Sequence, residues 1–136
     1  MATVRDFMTA SPVTIASSAS VQDAALLMRN HDIGLLPVME NHSFRGVVTD
    51  RDIVVRAIAE GRFTDTVGTI ISTSVATLAP DDDVEDAVKL MSSEDVRRLP
   101  VCEGSKLVGI VSVGDIATRR SSDLAGKVME ETGPTA

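Results

Sequence analysis

The sequence predicts an α/β chain of the two-layer α+β kind, made of two tandem copies of one strand-helix-strand-strand-helix unit. Three observations lead there. Shifted by 63 residues, Val4–Ala57 lies over Val67–Arg120 without a gap, and 19 of the 54 paired positions are identical. Average amino-acid usage gives about three by chance, so one structural unit has been duplicated. Each copy holds an amphipathic run with apolar residues at i, i+3, i+4 and i+7, which is one helical face. Each also holds two β-like runs joined by a short polar turn.

Both copies read alike from start to end. A short apolar segment, PVTI or VATL, precedes a helix opened by Ser20 or Asp83 with an acid three residues on. The core face of that helix is Val21, Ala24, Ala25 and Met28 in one copy, and Val84, Ala87, Val88 and Met91 in the other. Two strands follow, LLPVM and FRGVVT across the turn ENHS, or RLPVC and KLVGIVS across EGS. A second helix then ends near Gly61 in the first copy. The expected organisation is a first repeat over 1–61, a linker over 62–66, a second repeat over 67–120 and a tail over 121–136. The tail has one weak amphipathic pattern, Leu124, Val128 and Met129.

Composition narrows the function. A chain of 136 residues with 43% hydrophobic and 24% charged residues is expected to form one ordinary globular module, too small for a multi-domain enzyme. It has no apolar run of membrane-spanning length, and its start, MATVRDFMTA, carries an early Asp, so a cytoplasmic protein is expected. A net charge of −7 argues against nucleic acid and anionic membranes as partners. Phe7, Phe44 and Phe63 are the only aromatics, too few for the stacking platforms of single-strand binders. A ligand would be held by backbone, aliphatic walls and a few polar groups.

The repeated polar residues stand where each last strand meets its helix: Gly46, Thr49 and Asp52 in GVVTDRD, and Gly109, Ser112 and Asp115 in GIVSVGD. Two readings stay open. Thr-x-x-Asp and Ser-x-x-Asp are capping boxes that satisfy helix amides with no ligand. Alternatively, the helix N-terminus attracts phosphate, the hydroxyl donates to it, the carboxylate accepts from ribose hydroxyls, and the glycine lets backbone approach a flat base. Other chemistry is thin. His31, His42 and Cys102 lie on different elements without metal-ligand spacing, so no metal is expected. Asp81–Asp83 precede a helix and suit its dipole. Met28 and Met91 are core filler, and Cys102, in LPVC, reads as a buried inert thiol. No hydroxyl has a separate base nearby in sequence, so no enzyme is expected.

The duplication, the LPV strand start and the G-h-h-[T/S]-x-x-D-I ending, each present twice in register, resemble a pair of cystathionine beta-synthase (CBS) domains. That resemblance covers Val4 to about Arg120 and implies pseudo-twofold symmetry, a homodimer, and adenosine nucleotides bound in two clefts between the repeats. It implies a first cleft of Gly46, Thr49, Arg51 and Asp52 with Arg97, Arg98, Pro100, Val75 and Thr77. The second, weaker cleft would hold Gly109, Ser112 and Asp115 with Gly34, Leu35, Pro37, Val13 and Thr14. Only the first concentrates cations, and guanidinium forks suit phosphate.

The function so implied is a regulatory module binding AMP, ADP or ATP, with no catalytic cofactor and with an unidentified downstream protein. The alternative is a stress or interaction scaffold whose clefts are empty or hold another adenosyl ligand, NAD or S-adenosylmethionine. In the helix DIVVRAIAEG, Ile53, Val54, Val55, Ala57 and Ile58 spread beyond one core-facing stripe, which suits a subunit interface.

Overall fold

The computed structural model describes residues 2–118. The tail pattern at Leu124, Val128 and Met129 lies outside the described residues. In chain order the strands are β1 (Thr9–Ala10), β2 (Ile15–Ala16), β3 (Leu35–Glu40), β4 (Ser43–Thr49), β5 (Arg98–Glu103) and β6 (Lys106–Ser112). The helices are α1 (Val21–His31), α2 (Asp50–Asp52, running into a π-helical stretch Ile53–Ile58) and α3 (Val84–Glu94). Residues 113–118 are helical, and 3-10 turns occupy Val4–Asp6 and Val67–Thr69.

The chain forms two compact units that cut across the sequence repeats. One comprises Ser11–Val75 with Gly104–Leu107. The other comprises, of the described residues, 2–10, Ala76–Glu103 and 108–118. Each unit takes the opening turn of the other copy into its core. Val67 and Ile70 are buried with Ile15, Val21, Ala24, Leu36, Val48 and Ala57. Val4 and Phe7, their equivalents in the 63-residue alignment, are buried with Leu78, Val84, Ala87, Leu99, Val101 and Val111.

In the first unit the sheet order is β2-β3-β4. β2 runs parallel to β3, with Ile15 opposite Val38, and β3 runs antiparallel to β4, with Leu36 opposite Val48. Asn41 and His42 turn the hairpin with φ of 52° and 65°, as a tight hairpin turn demands. Ser20 opens α1 by accepting the Asp23 N–H at 3.0 Å, while the Asp23 carboxylate accepts the Ser20 N–H at 3.3 Å. The helix buries Val21, Ala24 and Met28. Ala25, expected on the core face, is exposed, and half-buried Leu27 packs at the edge of that stripe instead.

In the second unit the order is β1-β6-β5, with β1 antiparallel to β6. Asp83 caps α3 by accepting the Glu85 N–H at 3.0 Å. Both long helices stop on an aspartate in the left-handed region, Asp32 and Asp95, each with φ of 54°. The segments expected as opening strands are short. PVTI yields only Ile15, paired together with Ala16. VATL yields a single parallel bridge from Leu78 to Val101, with Pro80 two residues on.

Candidate functional site

At the end of β4 the chain enters α2 through a reciprocal pair of hydrogen bonds. The Asp52 N–H donates to Thr49 Oγ1 and the Thr49 N–H to Asp52 Oδ2, both at 3.0 Å. The capping reading is therefore realised. It leaves Asp52 Oδ1, beside which Arg56 Nε lies at 3.7 Å, and only 13% of the Asp52 side chain is exposed. Arg56 also donates through Nη1, at 3.4 Å, to the carbonyls of Ile70 and Ile71. The result is a carboxylate fixed in place with acceptor capacity left over, because an ionised carboxylate offers about four lone-pair sites.

The neighbouring residues differ in charge. Arg51 is exposed. Asp50 folds back, its Oδ1 accepting the Arg51 N–H at 2.8 Å, and its N–H donates to the Gly34 carbonyl at 2.9 Å. A Cβ at Gly34 would stand 2.9 Å from Asp50 Oδ2, so a carboxylate covers this residue of the expected second cleft. Gly46 is faced by protein and not by open space for a base. A Cβ there would lie 2.3 Å from the Ser72 carbonyl oxygen, which belongs to the bridge between Val47 and Ser72. In this unit Val75, Val13 and Leu35 are half-buried, Thr14 is exposed and Pro37 is buried in β3.

The second unit repeats the junction with different surroundings. The Asp115 N–H donates to Ser112 Oγ at 2.9 Å, and the Val113 N–H donates to the Arg97 carbonyl at 2.9 Å. Arg97 and Arg98 are exposed at the start of β5, Thr77 is exposed, and Pro100 is buried. Gly109 is crossed by backbone as Gly46 is: a Cβ would meet Met8 Sδ at 2.7 Å and the Thr9 carbonyl at 2.9 Å.

Several other charged residues make local contacts. Arg5 pairs with Asp81 at 3.2 Å, and Asp82 accepts the Ala79 N–H at 2.8 Å. His31 and His42 are exposed. Burial pushes the Cys102 thiol above its ordinary pKa, which lowers its thiolate fraction and reactivity. Among the described residues no three His, Cys, Asp or Glu side chains gather to hold a metal, and no helix is long and apolar enough to cross a membrane. Sequence reasoning missed Asp50 and Arg56. Arg56 had a signal, since it matches Arg119 between the copies.

The CBS domain family model matches residues 4–58 and 67–122. The CBS domain-containing protein YhcV of Bacillus subtilis is 39% identical over 131 residues, spanning 95% of this chain and 94% of its own. Among solved structures, hypoxic response protein I with two coordinated zinc ions aligns with a TM-score of 0.79 at 35% identity, over 88% of this chain and 99% of that one. The CBS domain pair of MJ0100 in complex with 5'-methylthioadenosine and S-adenosyl-L-methionine aligns at 0.77 and 28%, over 94% and 98%. CBSX2 in complex with AMP aligns at 0.80 and 28%, over 91% and 98%.

Proposed function

The chain belongs to the CBS-domain family, and from that premise we propose that it is a regulatory CBS-pair module that binds an adenosine nucleotide, AMP, ADP or ATP, without transforming it. The observation that carries this reading is the Asp52 carboxylate, largely shielded, bonded to the Thr49 N–H and paired with Arg56. Two ribose hydroxyls donating to it would form charge-assisted bonds. In the proposal the phosphate goes to Arg51, Arg97 and Arg98, and Gly46, Val75, Thr77 and Pro100 belong to the same site. The Ser112–Asp115 set, with Gly34, Leu35, Pro37, Val13, Thr14 and Gly109, forms the poorer site, because the Asp50 carboxylate over Gly34 repels phosphate. Support comes from the relative that holds AMP.

The test is a calorimetry and thermal-shift panel of AMP, ADP, ATP, NAD and S-adenosylmethionine on protein stripped of nucleotide. A ligand of the native state raises the melting temperature as its concentration rises. No rise with any of the three nucleotides sinks the proposal. The relative holding S-adenosylmethionine favours a second reading, an interaction scaffold with another adenosyl ligand, and the same panel separates the two.

Assembly as a homodimer belongs to the proposal as well. Val54, Val55 and Ile58 remain 60%, 53% and 46% exposed on the π-helical stretch, an apolar surface suited to a symmetric partner. Light scattering at micromolar concentration should report twice the chain mass. A monomer with and without AMP rules this part out.

A further inference from the structure

Arg56 is outside the ribose and phosphate set, yet its guanidinium joins the carboxylate at the centre of that set to a separate stretch of backbone. Nε lies beside Asp52 Oδ1, and Nη1 donates to the Ile70 and Ile71 carbonyls. That stretch follows the 3-10 turn Val67–Thr69 and pairs with β4 through Ser72 and Val47. Asp52 is thus clamped from two sides, and only one clamp is the capping box. In sequence the arginine recurs at the equivalent position. Arg56 lies over Arg119, whereas Val54, Val55 and Ala57 lie over Ala117, Thr118 and Arg120. Capping alone asks for no arginine four residues after the aspartate, so its retention beside changed neighbours points to another task.

We propose that Arg56 is a positioning residue for ribose recognition: it orients the Asp52 carboxylate and ties it to Ile70 and Ile71, so that occupancy at Asp52 and order in residues 67–72 rise together. The proposal rests on the nucleotide reading above. A guanidinium presents five N–H groups in a rigid fork and serves a carboxylate and two carbonyls at once. A lysine ammonium keeps the charge but not the fork. The coupling is reciprocal: a segment held in place by Arg56 favours the ligand, and the ligand favours the segment.

The experiment titrates AMP and 2',3'-dideoxy-AMP, which lacks the hydroxyls Asp52 would accept from, into wild type, Arg56→Ala and Arg56→Lys. Arg56 is about half exposed and lines an open hollow of about 390 Å³ with Val55, Glu60, Arg62 and Thr69, so truncating it leaves no enclosed cavity in the core. Wild type should prefer AMP. Arg56→Ala should bind AMP about fivefold more weakly and the dideoxy compound almost unchanged, so that the preference collapses, with Arg56→Lys between the two. Amide exchange in residues 68–72 should slow on AMP binding in wild type and not in Arg56→Ala. If Arg56→Ala keeps the full preference for AMP, or weakens both ligands equally, Arg56 does not act through Asp52 and the proposal is overturned. If wild type binds neither compound, or both equally, the ribose reading falls and takes this proposal with it.

Discussion

At the end of β4, Thr49 and Asp52 exchange two hydrogen bonds, Arg56 holds the second carboxylate oxygen, and charged Asp50 and Arg51 stand between them. At the end of β6, Ser112 and Asp115 keep the spacing and the hydroxyl-to-amide bond, but Val113 and Gly114 stand between them. The start of the strand before each hairpin differs in the opposite sense, with Gly34 and Leu35 before β3's proline and Arg97 and Arg98 before β5's. Duplication has kept what builds the strand-to-helix corner and changed what a ligand would meet there. Core positions such as Leu36 and Leu99, or Val48 and Val111, are bound by packing in both units, while exposed positions are free to diverge.

The largest effect expected from breaking this comparison is in stability. Gly46→Ala puts a Cβ 2.3 Å from a backbone oxygen and should cost roughly 2–3 kcal/mol in urea unfolding. Gly109→Ala meets the flexible end of Met8 at 2.7 Å and the Thr9 carbonyl at 2.9 Å, a milder backbone clash, and should cost less, about 1–2 kcal/mol. Equal losses would mean that the two crossings are equally rigid.

Next comes ligand binding. Asp52→Ala should weaken AMP by roughly 1.5–3 kcal/mol in calorimetry, and Asp115→Ala by less than about 1 kcal/mol. Parity between them would remove the distinction between a strong and a weak site. Arg98→Ala should weaken AMP by about 1 kcal/mol and leave adenosine unchanged. The AMP advantage over adenosine should also narrow between low and physiological salt, because screening reaches exposed guanidinium groups first. Untouched AMP affinity in this variant would assign Arg98 to a protein partner.

The smallest effect should be the same in both units. Asp32→Gly and Asp95→Gly each relieve a side chain from the left-handed region and should stabilise by about 0.5 kcal/mol. Melting curves that favour one variant over the other would show that the two left-handed aspartates are not equally strained.

Local features were legible from the chain. Ser20 with Asp23, and Thr49 with Asp52, announce helix starts because the bonds they make span three residues. The strands LLPVM and RLPVC are written in apolar side chains that have no alternative to burial. What could not be read is which copy's core receives Val67 and Ile70, or Val4 and Phe7. Both turns are apolar at equivalent positions, so hydrophobicity says that they are buried and not where. The glycines carry a signal whose partner the sequence does not name. Gly46 does signal a close approach, but the approaching group is Ser72 of the same chain, whose pairing is decided by tertiary structure. Arg56 reads as a helix-surface charge until the carbonyls of residues 70 and 71 are placed beside it.

The exchange of opening turns bears on how the chain is made. The unit around Ser11–Val75 can complete most of its core once Ile70 has left the ribosome, whereas Val4 and Phe7 are synthesised long before Leu78, Val84 and Leu99 exist. Arg5 waits 76 positions for Asp81. During that interval the earlier turn is an orphan with a twin: Val67 and Ile70 emerge while the Val4 and Phe7 segment is still unhoused. Vectorial synthesis therefore offers the first core two equivalent turns in succession, the wrong one first. A fragment cut at residue 61 should hold a core missing its proper filler, and supplying a peptide of residues 62–75 should restore it.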